Sequence, residues 1–337
     1  MSEQIQRVVP ALWFDRSAPQ AVEFYVRAFA EALADDEQAR GGTGVLATSH
    51  YPDHDLGPGQ EAMAGQVLEI RFRLAGLELS AINAGPQNRP NPSISLMVVI
   101  DPDYCPDPAA RLDSLWQCLI EGGRALMPVG AYPFSERFGW VEDRYGVSWQ
   151  LLVGSVGRAA TASELGPGQG IAPPDGRAPQ RAHRGVEVIP ALMFPHSQGQ
   201  AGVAARQYVE LFDRAFGDSG IGEMSFYPAQ PGQEPALLQG FIRLAGQELT
   251  LMDSGVLHPF TFSMGVSLTI QCATQEQVDL LWEGLSAVPE AEACGWLKDR
   301  FGISWTITPE NMTELIGRPG AWQTMAAMTK PTLSDFR

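Results

Sequence analysis

Three charged side chains alternate within the run Val67 to Leu74: Glu69, Arg71 and Arg73. In an extended strand this spacing sends all three to one face, while Leu68, Ile70, Phe72 and Leu74 take the other. A carboxylate beside two guanidinium groups suits acid–base work at Glu69, with Arg71 and Arg73 as partners for an oxyanion or a keto-acid-like ligand. The competing reading is a solvated sheet surface laced by cross-strand ion pairs. The run Val147 to Leu151 splits in the same way. Val147, Trp149 and Leu151 face a core, and Ser148 and Gln150 face the same side as the charged trio. Further along the chain Gln239 and Arg243 take the places of Glu69 and Arg73, with Phe241 at the place of Arg71. Trp140 and Trp296 each open a strand beside a loop, which suits the rim of a pocket. Ser49 to Asp55 packs two histidines and two aspartates into seven residues. Pro52 interrupts that cluster, and a solvated loop is the plainer reading.

The elements that would position these residues occur twice. Val8 to Asp15 (VVPALWFD) returns as Val188 to Pro195 (VIPALMFP), and Leu68 to Gly85 returns as Leu238 to Gly255. Phe138 to Leu152 (FGWVEDRYGVSWQLL) returns as Cys294 to Thr308 (CGWLKDRFGISWTIT). The order is kept and the offset shrinks from 180 to 156 residues, so the second copy has shorter loops. A period of that length means tandem domains rather than a solenoid. The boundaries fall at 1–155 and 186–313, with a Gly/Pro-rich linker at 156–185 and a tail at 314–337 that forms one short helix against the second copy. Within the first copy, Val8 to Phe14 reads as a strand and Pro19 to Phe29 as a helix. Val67 to Leu74 and Glu78 to Ile82 read as a hairpin around Ala75-Gly76. The pattern then restarts: strand Ser93 to Ile100, helix Pro108 to Ile120, and strands Arg137 to Val141 and Val147 to Val153. Trp13, Trp116, Trp149, Trp282 and Trp305 sit on apolar faces and read as core. In DRxG, Asp143 and Gly146 suit a tight turn, with Arg144 pairing to Asp143.

Composition bounds the partners. The 337 residues carry a net charge of −16, which disfavours nucleic acid. No run of about 18 apolar residues is present for a membrane span. Cys105, Cys118, Cys272 and Cys294 stand apart without a CxxC pair, as buried thiols of a reducing cytoplasm do. The first residues show no apolar leader, which also points to the cytoplasm.

The order PALWFD, AVEFYVRAF, LAGLELSAIN and GWVEDRYGVSW resembles the PhnB-like branch of the vicinal oxygen chelate superfamily, the group of glyoxalase I, extradiol dioxygenases and bleomycin-resistance proteins. The second copy, CGWLKDRFG with Trp305, is similar to the subgroup labelled 3-demethylubiquinone-9 3-methyltransferase. No GxGxxG turn follows a strand here, as a nucleotide-dependent methyltransferase would require. The resemblance implies an α+β fold: tandem glyoxalase-like domains made of four βαβββ modules, whose curved mixed sheets enclose cavities. It also implies a divalent metal held by His, Glu or Gln on four strands. By motif spacing those places are Val8, Glu69, Ile94 or Ser95, and Gln150. In the second copy they are Val188, Gln239, Val266 or Ser267, and Thr306. Only Glu69, Gln150 and Gln239 are of the expected types, so no metal or other cofactor is expected.

The sequence therefore points to a metal-independent small-molecule-binding protein with an anionic or aromatic ligand. The alternative is a metal-independent isomerase, lyase or cyclase that uses Glu69 with Arg71 and Arg73. The ligand-facing set is Arg71, Arg73, Ser148, Gln150, Trp140, Gln239, Arg243 and Trp296, and the second copy's cavity is expected to be the more apolar. The two copies can pair within one chain, so either a monomer or a homodimer fits, with no nucleic-acid or membrane partner.

Overall fold

The computed structural model describes residues 5–34, 40–54, 56, 61–154, 185–195, 199–228, 235–316, 318 and 320–336. The expected linker lies, but for Gly185, outside the described residues.

The first repeat runs β1 (Val8–Phe14), α1 (Ala18–Ala32), β2 (Gly44–His50), β3 (Val67–Leu74), β4 (Leu77–Asn83), then β5 (Ile94–Ile100), α2 (Pro108–Ile120), β6 (Arg124–Tyr132), β7 (Ser135–Glu142) and β8 (Ser148–Val153). The second runs β9 (Val186–Phe194), α3 (Gln200–Phe216), β10 (Gly220–Phe226), β11 (Leu237–Leu244), β12 (Gln247–Asp253), then β13 (Val266–Cys272), α4 (Gln275–Leu285), β14 (Trp296–Lys298) and β15 (Ser304–Pro309). Three modules are βαβββ. The fourth lacks a strand, and a short helical turn at Pro289–Ala291 stands before β14. The tail carries α5 (Met312–Leu315) and α6 (Ala321–Ala327).

Local chemistry accounts for these elements. α1 has Pro19 in its first turn and buries Ala21, Val22, Phe24, Tyr25, Ala28 and Phe29, a stripe at helical spacing. α4 starts on a capping box in which Thr274 accepts from the Gln277 N–H and the Gln277 side chain returns the bond. Ala75 and Gly76 both have positive φ, 46° and 90°, so the β3–β4 turn matches the strand twist. β2 and β6 are edge strands broken by register shifts. β6 carries Pro128 mid-run, tolerated where one side of a strand is unpaired. Ser49 and His50 end β2 and are therefore strand residues rather than loop.

The strands form two curved sheets, and each draws from both repeats. Sheet A has the order β14-β15-β13-β1-β4-β3-β2, and sheet B the order β10-β11-β12-β9-β5-β8-β7-β6. The joints are antiparallel: β1 with β13, where Ala11 lies opposite Ser267, and β5 with β9, where Ser95 lies opposite Ala191. The first and fourth modules thus share sheet A, and the second and third share sheet B.

Helices cover one face of each sheet and tie the halves of each repeat together. α1 packs on β3 and on α2, and α3 packs on β11 and on α4. Tyr25 of α1 meets Trp149 of β8 with ring centroids 5.2 Å apart, and Tyr208 of α3 meets Trp305 of β15 at 5.3 Å. The DRxG aspartates hold these joints. Asp143 Oδ1 accepts from the Tyr145 and Val147 N–H groups and Oδ2 from Trp149 Nε1 (2.8 Å). Asp299 repeats this with Phe301, Ile303 and Trp305, and Tyr208 Oη donates to it at 2.5 Å. Burial pushes the Asp143 carboxyl up to about 6, against the pull of its donors, and raises Asp299 likewise. Arg144 does not pair with Asp143. Its Nη2 lies 3.0 Å from Glu121, and its guanidinium lies over Phe24, because Asp143 is turned inward to the Tyr145 and Val147 amides and the Trp149 indole.

Candidate functional site

Each sheet turns one face away from the four module helices, and strand parity fixes what lines it. In sheet A the residues Val8, Leu12, Phe14, Leu79, Leu268, Ile270, Trp305 and Ile307 belong to the helix-side core. Trp13, Glu69, Arg71, Arg73, Glu78, Ser80, Gln271, Trp296 and Thr306 therefore lie on the opposite face. Trp13, read as core from the sequence, is on this face: its Nε1 donates to Gly85 O (2.7 Å) and its ring meets Trp296 edge-on at 6.2 Å. In sheet B the same parity sends Ser95, Met97, Val99, Ser148, Gln150, Leu152, Ile189, Ala191 and Met193 to the face away from the helices. Met97, Val99, Ile189 and Ala191 form a small apolar cluster of their own with Leu152.

The candidate residues from the sequence are thus divided. Glu69, Arg71, Arg73 and Trp296 stand on sheet A, and Trp140, Ser148, Gln150, Gln239 and Arg243 on sheet B. Glu69 and Gln150 do not meet, because the cross-repeat joints place their strands in different sheets. The apolar cavity likewise belongs to a junction of the two copies rather than to the second copy.

On sheet A the charges are spent on one another. Arg71 Nη2 bonds Glu78 Oε1, Arg73 Nη2 lies 3.8 Å from Glu78 Oε2, and Ser80 Oγ donates to Glu69 Oε1 at 2.5 Å. Arg71 Nη1 also reaches Gln271 and Thr313, both at 3.5 Å. The tail crosses this face. Trp322 of α6 packs edge-on against Tyr51 (5.2 Å), and the Cys294 and Gly295 N–H groups donate to Met328 O and Thr329 O. The tail helix therefore packs on the first repeat as well as the second. Beneath, Ser267 Oγ, Ser304 Oγ and Thr306 Oγ1 are buried without a hydrogen-bond partner. The sheet B counterparts of the two serines are satisfied: Ser95 Oγ and Ser148 Oγ lie 2.9 Å apart, and Trp140 Nε1 donates to Ser148 Oγ at 2.7 Å. Ser148 thus positions Trp140.

Sheet B holds an open chamber of about 600 Å³, within the range that takes a drug-sized molecule. Methionines (Met97, Met127, Met193, Met252) and aromatic rings (Phe134, Phe138, Trp140, Phe241) line it together with leucines and Ala191. Gln150 of β8 and Gln239 of β11 face it from strands separated by β5, β9 and β12. Glu223 and Ser225 stand exposed at its lip. No Lys or Arg is among the described residues that line it. Arg243 lies outside the chamber, held at the sheet edge by Asp218 (2.9 Å) and Glu248 (3.2 Å). The methionine lining was not read from the sequence, although Met127, Met193 and Met252 could have been noticed at period-two positions.

Register also locates the places equivalent to Gln150. Gln150 lies beside Met97, Thr250 beside Ala191, Ser80 beside Ala11, and Thr306 beside Thr269. A metal held at the centre of either sheet would meet these side chains. None is an imidazole, thiolate or carboxylate, and Glu69, bonded to Ser80, adds a single carboxylate on sheet A, so the donor set falls short of what a divalent ion needs. Val8 and Val188, expected by motif spacing as ligand positions, point into the core instead. Among the described residues no group of three or more His, Cys, Asp or Glu is placed to hold a metal ion.

Paired modules and curved mixed sheets make the tandem glyoxalase-like fold that the sequence led us to expect. The family model described as 3-demethylubiquinone-9 3-methyltransferase matches residues 6–152 and 186–308, and the chain belongs to that family. No curated protein matches it. Among solved structures, the chain is similar to the PhnB protein from Bacillus cereus (32% identity, 44% of this chain and 99% of that one, TM-score 0.34). It is also similar to a glyoxalase I variant from Zea mays (13% identity, 93% and 96%, TM-score 0.42). A third similar structure is a protein described as a dioxygenase from Bacillus subtilis (13% identity, 99% and 94%, TM-score 0.44).

Proposed function

We propose that this chain binds an apolar, aromatic small molecule in the chamber of sheet B, without a metal ion. The observation that carries this reading is the wall itself: soft thioethers and aromatic rings around a volume of about 600 Å³. Such a surface binds by removing apolar area from water and by sulfur–ring contact. The arginines that favoured an anionic ligand are engaged by Glu78, Asp218 and Glu248, so the aromatic half of the expectation is retained and the anionic half is not.

The second reading, acid–base catalysis at Glu69, has one observation in its favour. Glu69 stands on the concave face of sheet A with Ser80 bonded to it. Its weakness is that Arg71 is committed to Glu78, leaving no free oxyanion partner there.

Both joints are made within one chain, which supports a monomer. The four cysteines are free, which suits a reducing cytoplasm. Among the described residues no helix is long and apolar enough to cross a membrane. The test is metal analysis by mass spectrometry of protein purified without added metal, with naphthalene titrated before and after EDTA. Metal-free protein that binds naphthalene equally in both states is the expected result. A stoichiometric ion, or binding lost on chelation, would overturn the reading.

A further inference from the structure

Within the chamber of sheet B one side chain is out of keeping with the apolar wall. Gln150 is only 7% exposed, yet its amide makes no hydrogen bond to any described residue. Buried amides are nearly always satisfied, and Gln can donate two hydrogen bonds and accept two. Gln239, half-buried across the chamber, is equally without a bond. Neither is held by a neighbour in the way that Ser148 is held by Ser95 and Trp140. The two amides are thus neutral groups with both donor and acceptor capacity, turned into an otherwise apolar space.

We infer that the ligand of this chamber is a planar, neutral molecule with an amide-like edge, a carbonyl beside an N–H as in a lactam or imide, which Gln150 reads by a paired donor–acceptor contact. The inference rests on the reading that sheet B binds small molecules. A carboxylate ligand would leave water without meeting a cation, because the ionisable side chain at the lip is Glu223 and the chain carries −16 overall. A pure hydrocarbon would fill the space and leave the Gln150 amide dry and unpaired. A lactam edge returns to Gln150 both bonds that water supplied. The floor of Met97 and Ala191 and the ring of Phe241 then take the flat faces of the ligand.

The experiment uses the full chain and four bicyclic probes of similar size: isoquinolin-1(2H)-one, naphthalene, 1-naphthoate and N-methylisoquinolinium. Each is titrated by calorimetry against wild type, Gln150→Met and Gln239→Met, with thermal melts to verify folding. Methionine keeps the volume of glutamine and removes its hydrogen bonds. The lactam is expected to bind about tenfold more tightly than naphthalene, as one to two well-made hydrogen bonds allow. Gln150→Met should erase that advantage, weakening the lactam and tightening naphthalene, which then leaves no amide dry and unpaired. Gln239→Met, at a less buried place, should reduce it by a smaller factor and serves as the second variant if Gln150→Met does not fold. Naphthoate or the cation binding as tightly as the lactam would overturn the inference. So would a lactam no better than naphthalene, or an advantage that survives in both variants. Failure of all four probes to bind would instead remove the reading of sheet B as a binding chamber.

Discussion

Sheets A and B are built from the same module and have taken opposite characters. Sheet A gathers Glu69, Arg71, Arg73 and Glu78 into a self-neutralising set, is crossed by the tail, and buries four unpaired hydroxyls, those of Ser49, Ser267, Ser304 and Thr306. Sheet B holds an open, methionine-rich chamber with two unpaired amides. Because the sheets join first to fourth and second to third modules, neither face is the property of one repeat. Each is a junction of unlike partners, so duplication lets one face be closed while the other stays open. The two helix-side cores, by contrast, remain near copies: Tyr25, Asp143 and Trp149 in one, Tyr208, Asp299 and Trp305 in the other.

The largest expected effect separates the shared frame from the divergent faces. Asp143→Ala and Asp299→Ala each strand a buried indole N–H and two turn amides, so each should cost about 3–5 kcal/mol in chemical denaturation. If the faces are independent, Asp299→Ala, on the sheet A side, should leave naphthalene binding to sheet B within about twofold while the protein is folded. Equal loss of binding in both variants would break the comparison.

The same aspartate gives a pH test. The folded-state pKa of Asp143 is raised from 3.8 to about 6 by burial, so the folded chain holds a proton that the unfolded chain releases. This contribution is fully present below about pH 4 and is lost as the pH rises through about 6, roughly 3 kcal/mol in all. The difference in unfolding free energy between wild type and Asp143→Asn should fall across that window and be flat above it. A difference that rises with pH would contradict the assignment.

A smaller effect is expected at the cover of sheet A. Trp322, buried against Tyr51, should cost about 3 kcal/mol when cut to alanine, the low end for a buried tryptophan, with no change in naphthalene affinity. A change in affinity would mean that the tail reaches sheet B. Smallest of all is Arg243→Ala. Its guanidinium is shared between Asp218, more than half exposed, and the better buried Glu248, so about 1 kcal/mol and no effect on binding are expected.

Most of the frame was legible in the residues. Val8 to Phe14, Val67 to Leu74 and Pro108 to Ile120 are the observed elements, because each is bounded by turn chemistry and carries a clean period. β2 and β6 were not legible, since bulged edge strands keep no strict alternation. Trp13 was misread because aromatic bulk suggests core, whereas its odd position beside Leu12 and Phe14 sends it to the open face. The division of the candidate residues between two sheets was beyond reach for a different reason. A repeat shows which segments are alike, but not which of the alike segments share a sheet, and that depends on the β1–β13 and β5–β9 pairings between distant strands.

The most direct test of the divergence is a crystal structure of the full chain soaked with isoquinolin-1(2H)-one. The expected result is the probe in sheet B, its lactam edge on Gln150 and its ring against Phe241, with the face of sheet A unchanged. Probe density beside Glu69 and Arg71 on sheet A, with sheet B vacant, would contradict it.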